Sequence, residues 1–433
     1  MKRFKATAFV TILTVCVCML CACAKGKSTH LRGASDADAL NYNEYGSEEF
    51  ATVSEALDAF QAKFGQSAFE KLNEGENLVI SPVSVFMALS LAADSAANES
   101  RDEILKALNI DYGSLSKTFG YLYRSLLRTY DSGKIAVGNS VWLQDGTPVK
   151  ESGLNSLSDK MFADVYSADF NGDNRSANLA VRNFVKEKTE GMIDVDFELS
   201  PETLFVLINT LYLSDSWNAA GRKLQTTAEE YSFKNADGGT SETKLLQGNY
   251  TTGRVYDGGD FYTYYSATEA GFRLKFLLPK DGRGIADVFT AENLTKVNAV
   301  TDYGGIDEDR KIQHMTRVLF PSFEAEFNKD ILSVLHEDFG INGIFDPLNA
   351  DFTTLLEAPK GSNFIYKVQH VAKLKVDAEG IEGAAATVVA GKDTSSAPVY
   401  TKQYHDFVID SAFGFVLTDV YGNVLFSGVI NAV

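Results

Sequence analysis

The sequence of 433 residues predicts a single α+β domain. Helical periodicity dominates its first third, whereas strand-like runs dominate the remainder. No fixed-period repeat and no linker rich in proline, glycine or serine divides residues 49–433. With 45% hydrophobic and 12% aromatic residues, the chain can bury a sizeable core. We therefore expect one domain over residues 49–433, in which helices pack on mixed or antiparallel sheets.

The N-terminus has the composition of an export signal. Lys2, Arg3 and Lys5 form a basic start, and residues 6–20 are uncharged and largely apolar. A short apolar run between a basic start and small residues is typical of a signal that is removed, not of a lasting membrane span. We assign residues 1–22 to this signal.

The end of the signal predicts lipidation. The chain has four cysteines, all within or at the end of this segment: Cys16, Cys18, Cys21 and Cys23. The mature chain therefore has no pair to oxidise. Residues 20–23 (LCAC) resemble a bacterial lipobox, in which a cysteine after a small residue is lipidated and becomes the new N-terminus. Small Ala22 precedes Cys23, whereas bulky Leu20 precedes Cys21, so Cys23 is the predicted site; plain secretion is the alternative.

The next segment and the overall charge limit what the protein can bind. Residues 23–48 are polar and aperiodic, which predicts a flexible tether between the anchor and the domain. The 40 Lys and Arg residues against 58 Asp and Glu give a net charge of −18, which becomes −21 without the three basic residues of the signal. This negative charge, without a cluster of basic residues along the chain, argues against nucleic-acid binding. Membrane contact is expected through the lipid anchor only.

Periodicity and capping residues predict the helices. In residues 51–72 apolar side chains recur every three to five positions, and Thr52 with Glu55 has the spacing of a capping box. Ser81 can cap a helix in which Pro82 comes first, and residues 83–92 should form a buried helix. Further helices are predicted at about 99–108, 115–130, 151–163, 174–188 and 328–338.

Runs of β-branched and aromatic residues predict the strands. They fall at about 77–80, 135–143, 204–213, 271–278, 316–326, 363–376, 407–417 and 423–431. Because these runs outnumber the helices in the second half of the chain, we expect substantial sheets there.

Common catalytic and metal-binding motifs are missing from the sequence. The five histidines are His30, His314, His336, His370 and His405, and no G-x-S-x-G elbow is present to pair one with a serine. His336 and Glu337 are followed by Gly340 where a zincin motif needs its second histidine. No Walker loop occurs. We therefore expect no cofactor, no metal and no enzymatic activity.

A run of small residues near the C-terminus is unusual. In an extended segment alternate side chains share a face, so Ile381, Gly383 and Ala385 would point one way, with Thr387 and Val389 continuing that face. The middle of this face is small enough to pass between two existing strands. Such a segment could be a loop in one state and a strand in another, although small residues also suit an ordinary flexible connection.

Five motifs in chain order resemble the serpin family. VAKLKVDAEGIEGAAATVV (371–389) is similar to the hinge of the serpin reactive-centre loop, and NLVISPVS (77–84) looks like the N-I-x-x-S-P-x-S motif. Asn209 and Trp217 match N-x-x-x-F-x-x-x-W, with Leu213 in place of the phenylalanine. LSVLHEDFGINGIFDP (332–347) and FGFVLTDVYGNVLFSGV (413–429) match later landmarks. The resemblance implies one domain with about nine helices, three β-sheets and an exposed reactive-centre loop near the C-terminus.

The resemblance also implies a mechanism. Serpins inhibit serine, and in some cases cysteine, endopeptidases by offering the loop as bait. The endopeptidase cleaves the loop, and the freed end inserts as a new strand into a central sheet; this is a standard example of strand addition and of stored strain released. On this basis the backbone after Glu379 is expected to leave water once the loop is cut.

Counting from the hinge places the scissile bond. In inhibitory serpins the hinge glycine is usually the fifteenth residue before the bond, so Gly380 predicts cleavage between Thr394 and Ser395. Counting back from Phe413 points instead near Thr401, which makes the loop about seven residues longer than usual, and Lys392 or Tyr400 are further candidates for the bait. Threonine at the bait position favours an elastase-like or broad endopeptidase, whereas Lys392 would favour a trypsin-like one.

The resemblance implies three groups of mechanical residues. The hinge comprises Glu379, Gly380, Ile381, Glu382, Gly383, Ala384, Ala385 and Ala386. The shutter, a polar cluster beneath the strands that must part, comprises Ser81, Ser84, Asn209 and His370. Trp217 matches the breach, where insertion begins. The alternative is that these residues are ordinary cap, turn and core residues with no switching role.

Four positions depart from the family pattern. Ile381 stands where threonine or serine is usual, and Ala378 where an acid is usual. Gly383 replaces an alanine, and Gly221 replaces the phenylalanine that normally follows the tryptophan. Ile381 should still insert because its face becomes buried, but its bulk is expected to slow insertion and to favour cleavage without trapping.

Three functional hypotheses follow. The first is a monomeric inhibitory serpin lipid-anchored outside a bacterial cell. The second is a serpin-fold protein that binds a ligand or partner without inhibiting. The third is a lipoprotein enzyme or solute-binding protein unrelated to serpins.

Overall fold

The computed structural model describes residues 26–45, 47–202, 205–218, 223–381 and 400–433. Its helices are α1 (Tyr42–Tyr45), α2 (Glu48–Leu72), α3 (Pro82–Ser95), α4 (Asn98–Leu108), α5 (Tyr112–Ser125), α6 (Glu151–Asp159), α7 (Asn174–Lys188), α8 (Ile285–Val288), α9 (Ala291–Ala299) and α10 (Leu332–Glu337).

The strands, in chain order, are β1 (Thr29–Arg32), β2 (Leu78–Ile80), β3 (Thr129–Tyr130), β4 (Gly133–Gln144), β5 (Asp164–Ala168), β6 (Phe205–Ser216), β7 (Gln225–Thr226), β8 (Tyr231–Lys234), β9 (Thr240–Thr243), β10 (Leu245–Gln247), β11 (Thr251–Thr252), β12 (Tyr256–Asp257), β13 (Phe261–Ala267), β14 (Arg273–Pro279), β15 (Ile306–Asp307), β16 (Ile312–Pro321), β17 (Phe323–Asp330), β18 (Gln369–Val376), β19 (Gly380–Ile381), β20 (Thr401–Val408), β21 (Phe413–Thr418) and β22 (Val424–Ile430).

These strands form three large sheets and a hairpin. The large sheet has the order β1-β5-β4-β6-β19-β18-β17, with β3 paired to β4. The second sheet has the order β12-β13-β14-β21-β22-β2. In the third sheet β16 pairs with β10, β11, β15 and β20, while β7 pairs with β10; β8 and β9 form the hairpin. The α+β class with three major sheets is confirmed.

The first residues of α2 and α3 differ in how well they match the capping predictions. Helix α2 begins at Glu48 because the Ser47 hydroxyl accepts a hydrogen bond from the Phe50 amide at 3.2 Å. The predicted capping box is therefore wrong: Thr52 lies inside the helix, and its hydroxyl donates to the Glu48 carbonyl at 3.0 Å. Helix α3 begins at Pro82 as predicted, and all but one of its residues are buried.

Several predicted elements have different bounds. The run at 316–326 is two strands, β16 and β17, and β17 continues to Asp330, so the predicted helix at 328–338 is confined to α10. The run at 363–376 forms a strand only from Gln369, and that at 407–417 spans the end of β20 and most of β21. The short helices α8 and α9 and most strands between β7 and β13 were not predicted, because pairing with distant strands supports them more than local periodicity does.

The predicted flexible tether contributes to the large sheet. Within residues 23–48, β1 pairs antiparallel with β5, with Thr29 opposite Ser167 and His30 opposite Tyr166. The His30 imidazole also contacts the Asp164 carboxylate at 3.0 Å. The prediction of an irregular connection is therefore wrong for Thr29–Arg32.

Apolar packing covers both faces of the large sheet. On one face the main core joins it to α2, α3 and the second sheet. On the other face Phe184 of α7 and Phe197 of the segment after it pack with Trp142 of β4 in a smaller cluster. The strands β6 and β18 therefore lie between two packed layers.

Candidate functional site

A tight turn at the end of β18 directs the chain back into the large sheet. The Asp377 carboxylate accepts hydrogen bonds from the amides of Glu379 at 2.8 Å and Gly380 at 3.3 Å. The Asp377 amide donates to the Gly380 carbonyl at 3.0 Å. An aspartate that bonds the backbone two and three residues ahead stabilises a reversal of the chain. The turn therefore places β19 beside β18.

Strand β19 lies between β6 and β18. Gly380 is opposite Ser216 and Ile381 is opposite Asp215, while Ile381 also pairs with Val376. A Cβ atom on Gly380 would overlap the carbonyl oxygen of Asp215, so only glycine allows this approach. The Ile381 side chain is fully buried, so it turns towards the core.

The position of β19 corrects one expectation. The hinge was expected to leave water after cleavage, yet Gly380 and Ile381 are already inside the sheet of the uncut chain. The bulk of Ile381 does not prevent this, because the side chain joins the main core. The other predicted hinge residues lie outside the described residues: Glu382, Gly383, Ala384, Ala385 and Ala386.

Trp217 holds the turn from the side of β6. Its indole nitrogen donates to the Asp377 carbonyl at 2.6 Å, and its amide donates to the Glu379 carbonyl at 3.4 Å. The neighbouring Leu224 amide donates to the Ala378 carbonyl at 2.7 Å, and Lys223 forms an ion pair with Glu379. Trp217 thus contacts the turn through which the chain joins β19; that insertion begins here stays a prediction.

Asp215 is a residue of this site that the sequence analysis missed. Its side chain is fully buried and accepts hydrogen bonds from the amides of Ala270 and Ser216, both at 3.0 Å. Burial raises the pKa of its carboxyl group. A lone acid in the otherwise uncharged run LYLSDSW was the signal that could have identified it.

Below β19, the strands β6 and β18 have no hydrogen-bonded pairing with each other among the described residues. We call the space between them the slot. A cavity of about 70 Å³ lies at its lower end, lined by Leu207 and Ile208 of β6 and by Gln369 and Val371 of β18. Helix α3 forms the floor, and residues after α7 close the outer side. Because this cavity is too small for a strand, insertion requires β6 and β18 to separate further.

Three of the four predicted shutter residues meet beneath β18. The Ser81 amide donates to His370 Nε2 at 3.1 Å, and the Ser81 hydroxyl contacts that of Ser84 at 2.9 Å. The Ser81 hydroxyl also donates to the Leu425 carbonyl at 2.8 Å. Burial lowers the pKa of His370 to about 4, so its imidazole is neutral at pH 7 and can accept this bond.

Asn209, the fourth shutter residue, lies across the slot. Its side-chain amide donates to the Asn139 Oδ1 of β4 at 2.6 Å. Its own Oδ1 has no partner among the described residues, and neither has Gln369 Oε1, although both residues line the cavity. Asn209 therefore bonds across to β4 and not to the Ser81 cluster, although it lines the same cavity as Ser84 and His370. The structure adds Asn139 and Gln369, which the sequence analysis did not identify.

The predicted bait residues Lys392, Thr394 and Ser395 lie outside the described residues. The alternative at Tyr400 and Thr401 lies at the start of β20. There the Thr401 amide donates to the Lys311 carbonyl at 2.8 Å, and the Tyr400 hydroxyl donates to Glu308 at 2.6 Å. A backbone paired in a sheet is less available for cleavage.

Two further positions singled out in the sequence also lie outside the described residues. Cys23 lies in residues 1–25 and Gly221 in residues 219–222, which the structure does not describe. Within the described ranges, no helix has the length and apolar character needed to span a bilayer.

Comparison with known proteins gives consistent matches. A family model described as "Serpin (serine protease inhibitor)" matches residues 59–432. An uncharacterised serpin-like protein of Thermococcus kodakarensis is 27% identical over 370 residues, which cover 83% of this chain and 81% of that protein. The thermophilic serpin tengpin in its native state matches with a TM-score of 0.73 and 22% identity, covering 94% of this chain and 100% of that one. Human thyroxine-binding globulin, complexed with its hormone, matches with a TM-score of 0.72 and 19% identity, covering 89% and 99%.

Proposed function

Because the chain belongs to the serpin family, we propose that it inhibits serine endopeptidases, and also cysteine endopeptidases, by inserting its cleaved loop into the slot. Family membership removes the hypothesis of a lipoprotein unrelated to serpins. Serpins are in general protease inhibitors and not catalysts, but some members only bind ligands. The observation that carries the proposal is that β6 and β18, among the described residues, are linked solely by the two residues of β19.

The register of β19 defines what can follow it into the slot. Continuing the same pairing places residue 382 opposite Ser214 and Lys375, and residue 388 opposite Ile208 and Gln369. The segment from 382 to 388 therefore spans the length over which both neighbouring strands exist. Gly383 and Ala385 share the inward face with Ile381, because side chains alternate along a strand. The small residues would thus enter on the face that turns towards the packed core.

Insertion has several sources of free energy. Each strand hydrogen bond contributes a net ~0.5–1.5 kcal/mol, and a buried valine such as Val389 contributes roughly 1.5 kcal/mol or more. A new strand would also bring amide donors beside Asn209 and Gln369, whose side-chain oxygens lack partners among the described residues. The contacts of Trp217 and Asp377 would then serve as the fixed upper end of the new strand.

The trapping step follows ordinary acyl chemistry. The endopeptidase serine oxygen bonds to the carbonyl carbon of Thr394, the bond to the Ser395 nitrogen breaks, and that nitrogen leaves as a protonated amine. The endopeptidase is then attached as an ester to a segment that moves into the sheet, which distorts its active site. Losing one oxyanion-hole donor slows such chemistry by about 10²–10³. The ester therefore persists.

The test uses the chain from residue 26 onward with elastase-like, trypsin-like and chymotrypsin-like endopeptidases. We expect a covalent complex on a denaturing gel, strongest with the elastase-like or a broad enzyme, and a released peptide that begins at Ser395. Fragments without a heavier covalent band would contradict the inhibitor proposal. A peptide beginning at Asp393 would assign the bait to Lys392.

We propose in addition that the protein is exported and lipid-anchored outside a bacterial cell through Cys23. The basic start, the apolar run and Ala22 before Cys23 support this proposal. Cys23→Ser should move the full-length protein from the membrane fraction to the soluble fraction, whereas Cys21→Ser should leave it membrane-bound. Equal fractionation of both variants with the unaltered protein would count against the anchor.

A second candidate function is ligand binding without inhibition. A cavity of about 230 Å³ lies between α2, α9 and the strands β21 and β22. Three of its lining residues have buried polar atoms without partners among the described residues: Gln61 Oε1, Asn298 Oδ1 and Ser427 Oγ. Such atoms suit an apolar molecule with hydrogen-bond donors.

Thyroxine, which the human relative binds, is a suitable probe. The second candidate predicts that thyroxine quenches tryptophan fluorescence saturably and that Ser427→Phe, which fills the cavity, abolishes this quenching. It also predicts that endopeptidases cleave the loop without forming a covalent complex. Absence of quenching at millimolar thyroxine, with normal covalent complexes, would reject it.

A further inference from the structure

Two histidines that are distant in sequence meet in the third sheet. His314 Nδ1 of β16 and His405 Nε2 of β20 are 3.0 Å apart. The ring centroids are 5.3 Å apart and the rings differ by only 20° in orientation, so the rings meet through their nitrogens and not face to face. This is the geometry of a hydrogen bond between imidazoles, in which one ring donates its proton and the other accepts it.

The charged groups around the pair oppose extra protons. Arg254 and Arg310 are the cations that act on His314, and Asp307 is the nearby acid. Both guanidinium groups are already 3.8 Å from the same Asp307 oxygen, so that carboxylate is shared. On β20 and β16 the other charged side chains, Lys402, Asp406 and Arg317, alternate to the opposite face.

Protonation therefore acts in two steps. With no added proton or with one, the pair keeps a donor and an acceptor, and the singly charged form has the stronger hydrogen bond. With two added protons both rings are donors, so the hydrogen bond between them is lost. Two positive charges then face each other beside two arginines. Burial, then Arg254 and His405, lower the pKa of His314, so the folded chain binds fewer protons there than the unfolded one. The stability from this contact is thus lost as the pH falls below the ordinary histidine range.

The pair lies on the strand that anchors the far end of the loop. Among the described strands β20 pairs with β16 alone, in a parallel register from Ile312 opposite Thr401 to Leu319 opposite Val408. Because β20 begins at Thr401, directly after the predicted loop, its pairing limits how much uncut chain can be drawn towards the slot.

We propose that His314 and His405 form an acid-sensitive latch that holds β20 in the third sheet and so prevents the uncut loop from inserting. The latch itself is a property of the third sheet. Its consequence for inhibition rests on the function proposed above. In acid the latch opens, β20 leaves β16, and the intact loop is free to enter the slot without trapping an endopeptidase.

Hydrogen exchange of the peptide 401–408, corrected for the intrinsic rate at each pH, tests the latch directly. Between about pH 7.5 and about pH 5, protection should fall in the unaltered protein by up to about tenfold per pH unit, the limit for one proton. His405→Gln, which keeps a hydrogen-bonding group but cannot become charged, should weaken this dependence, because a second positive charge can no longer form opposite His314. His336→Gln, at an exposed histidine of α10, is the matched control and should retain it. The pH stays above about 4.5 so that His370, whose pKa is about 4, remains mostly neutral in the folded chain. The contribution of His370 to global stability is the same in all these variants and cancels in the comparison between them.

Equal loss of protection in the unaltered protein and His405→Gln, or no loss in either, would overturn the latch. His314→Gln provides a second variant if the first does not fold. A separate assay tests the consequence: after an acid pulse and return to neutral pH, the unaltered protein should form less covalent complex and His405→Gln should not. If the untreated protein forms no complex at all, the proposed function fails, while the exchange result still decides the latch.

Discussion

The two edges of β6 differ in how many residues are paired with a neighbouring strand. Towards β4 the pairing is antiparallel over eleven consecutive residues, from Gly133 opposite Asp215 to Leu143 opposite Phe205. Towards β18 it comprises, among the described residues, only Gly380 and Ile381. Since the same strand forms both sides, its own β propensity does not explain the difference. The neighbouring strands explain it, because β4 pairs with β6 along almost its whole length whereas β18 is kept apart from β6.

The side chains at each boundary reflect this difference. On the closed side Gly133 allows the backbones to touch, since a Cβ atom there would overlap the Ser214 carbonyl. On the open side lie a cavity, a buried neutral histidine and two side-chain oxygens without described partners. Unpaired polar groups are costly when buried, and the strand insertion proposed above would supply partners for them. The predictions below test that interpretation, from the largest expected effect to the smallest.

The largest effect is expected from a charge in the segment that should enter the open side. Ala385→Arg would place a guanidinium against the core, which costs about 3–5 kcal/mol when the charge has no partner. The cut variant should not gain thermal stability, and covalent complexes should disappear on gels. Ala397→Arg, beyond the predicted scissile bond, is the matched control and should preserve both. If Ala385→Arg gains stability on cleavage as the unaltered protein does, the open side does not receive this segment.

The second effect concerns His370 at the open side. Its folded pKa of about 4 lies below the unfolded value of about 6.5, so the folded state binds fewer protons and stability falls as the pH drops from about 6.5 towards 4. The total loss is roughly 3 kcal/mol. His370→Gln keeps an acceptor for the Ser81 amide but does not titrate. The difference in unfolding free energy between the two proteins, measured by chemical denaturation, should therefore vary with pH over this window. A constant difference would show that His370 is not buried as a neutral group.

A third effect tests the upper end of the open side. Gly380→Val should expel β19, because its side chain overlaps the Asp215 carbonyl, at a cost of about 2 kcal/mol. Exchange at residues 380–381 should rise in the intact protein. Gly33→Val is the control, since an added Cβ there meets only the His30 ring at 3.5 Å. Unchanged protection of 380–381 in Gly380→Val would argue against β19 as part of the sheet.

The smallest effect compares the two tryptophans. Trp217→Phe removes the hydrogen bond to the Asp377 carbonyl on the open side, and Trp142→Phe removes the one to the Ser140 hydroxyl on the closed side, at 2.9 Å. Each change should cost about 1 kcal/mol in unfolding free energy. Only Trp217→Phe should increase exchange of the turn 377–380. Similar exchange in both variants would show that Trp217 is an ordinary core residue.

Much of the fold could be predicted from local sequence. The start of α3 followed from Pro82, although the Ser81 side chain makes no capping hydrogen bond, and the strands β4, β6 and β22 followed from apolar runs, with errors of a few residues at the ends. The capping box at Thr52 failed because Ser47, upstream, is a better placed cap. The strand β1 was missed because its polar sequence forms a strand only where the edge of β5 is available.

The sequence predicted some of the residues that lie together at the candidate site, but not the pairs that are joined by strand register. Trp217, Gly380 and Ile381 lie together as the resemblance implied, and Ser81, Ser84 and His370 form one cluster. Asn209 is placed on the other side of the slot, because its partner is Asn139 on β4. No sequence spacing relates Asn209 to Asn139 or His314 to His405, since each pair is joined only by strand register.

The sequence by itself determined the helical and strand periods, the serpin resemblance and the run of small residues in the hinge, because side-chain size and periodicity are local properties of the chain. Only the tertiary structure decided that β19 already lies in the sheet of the uncut chain, that β6 is paired along one edge and largely unpaired along the other among the described residues, and that His314 and His405 meet between β16 and β20. These features depend on which distant strands become neighbours and in what register, and pairing energies between distant segments are set by the whole packed fold.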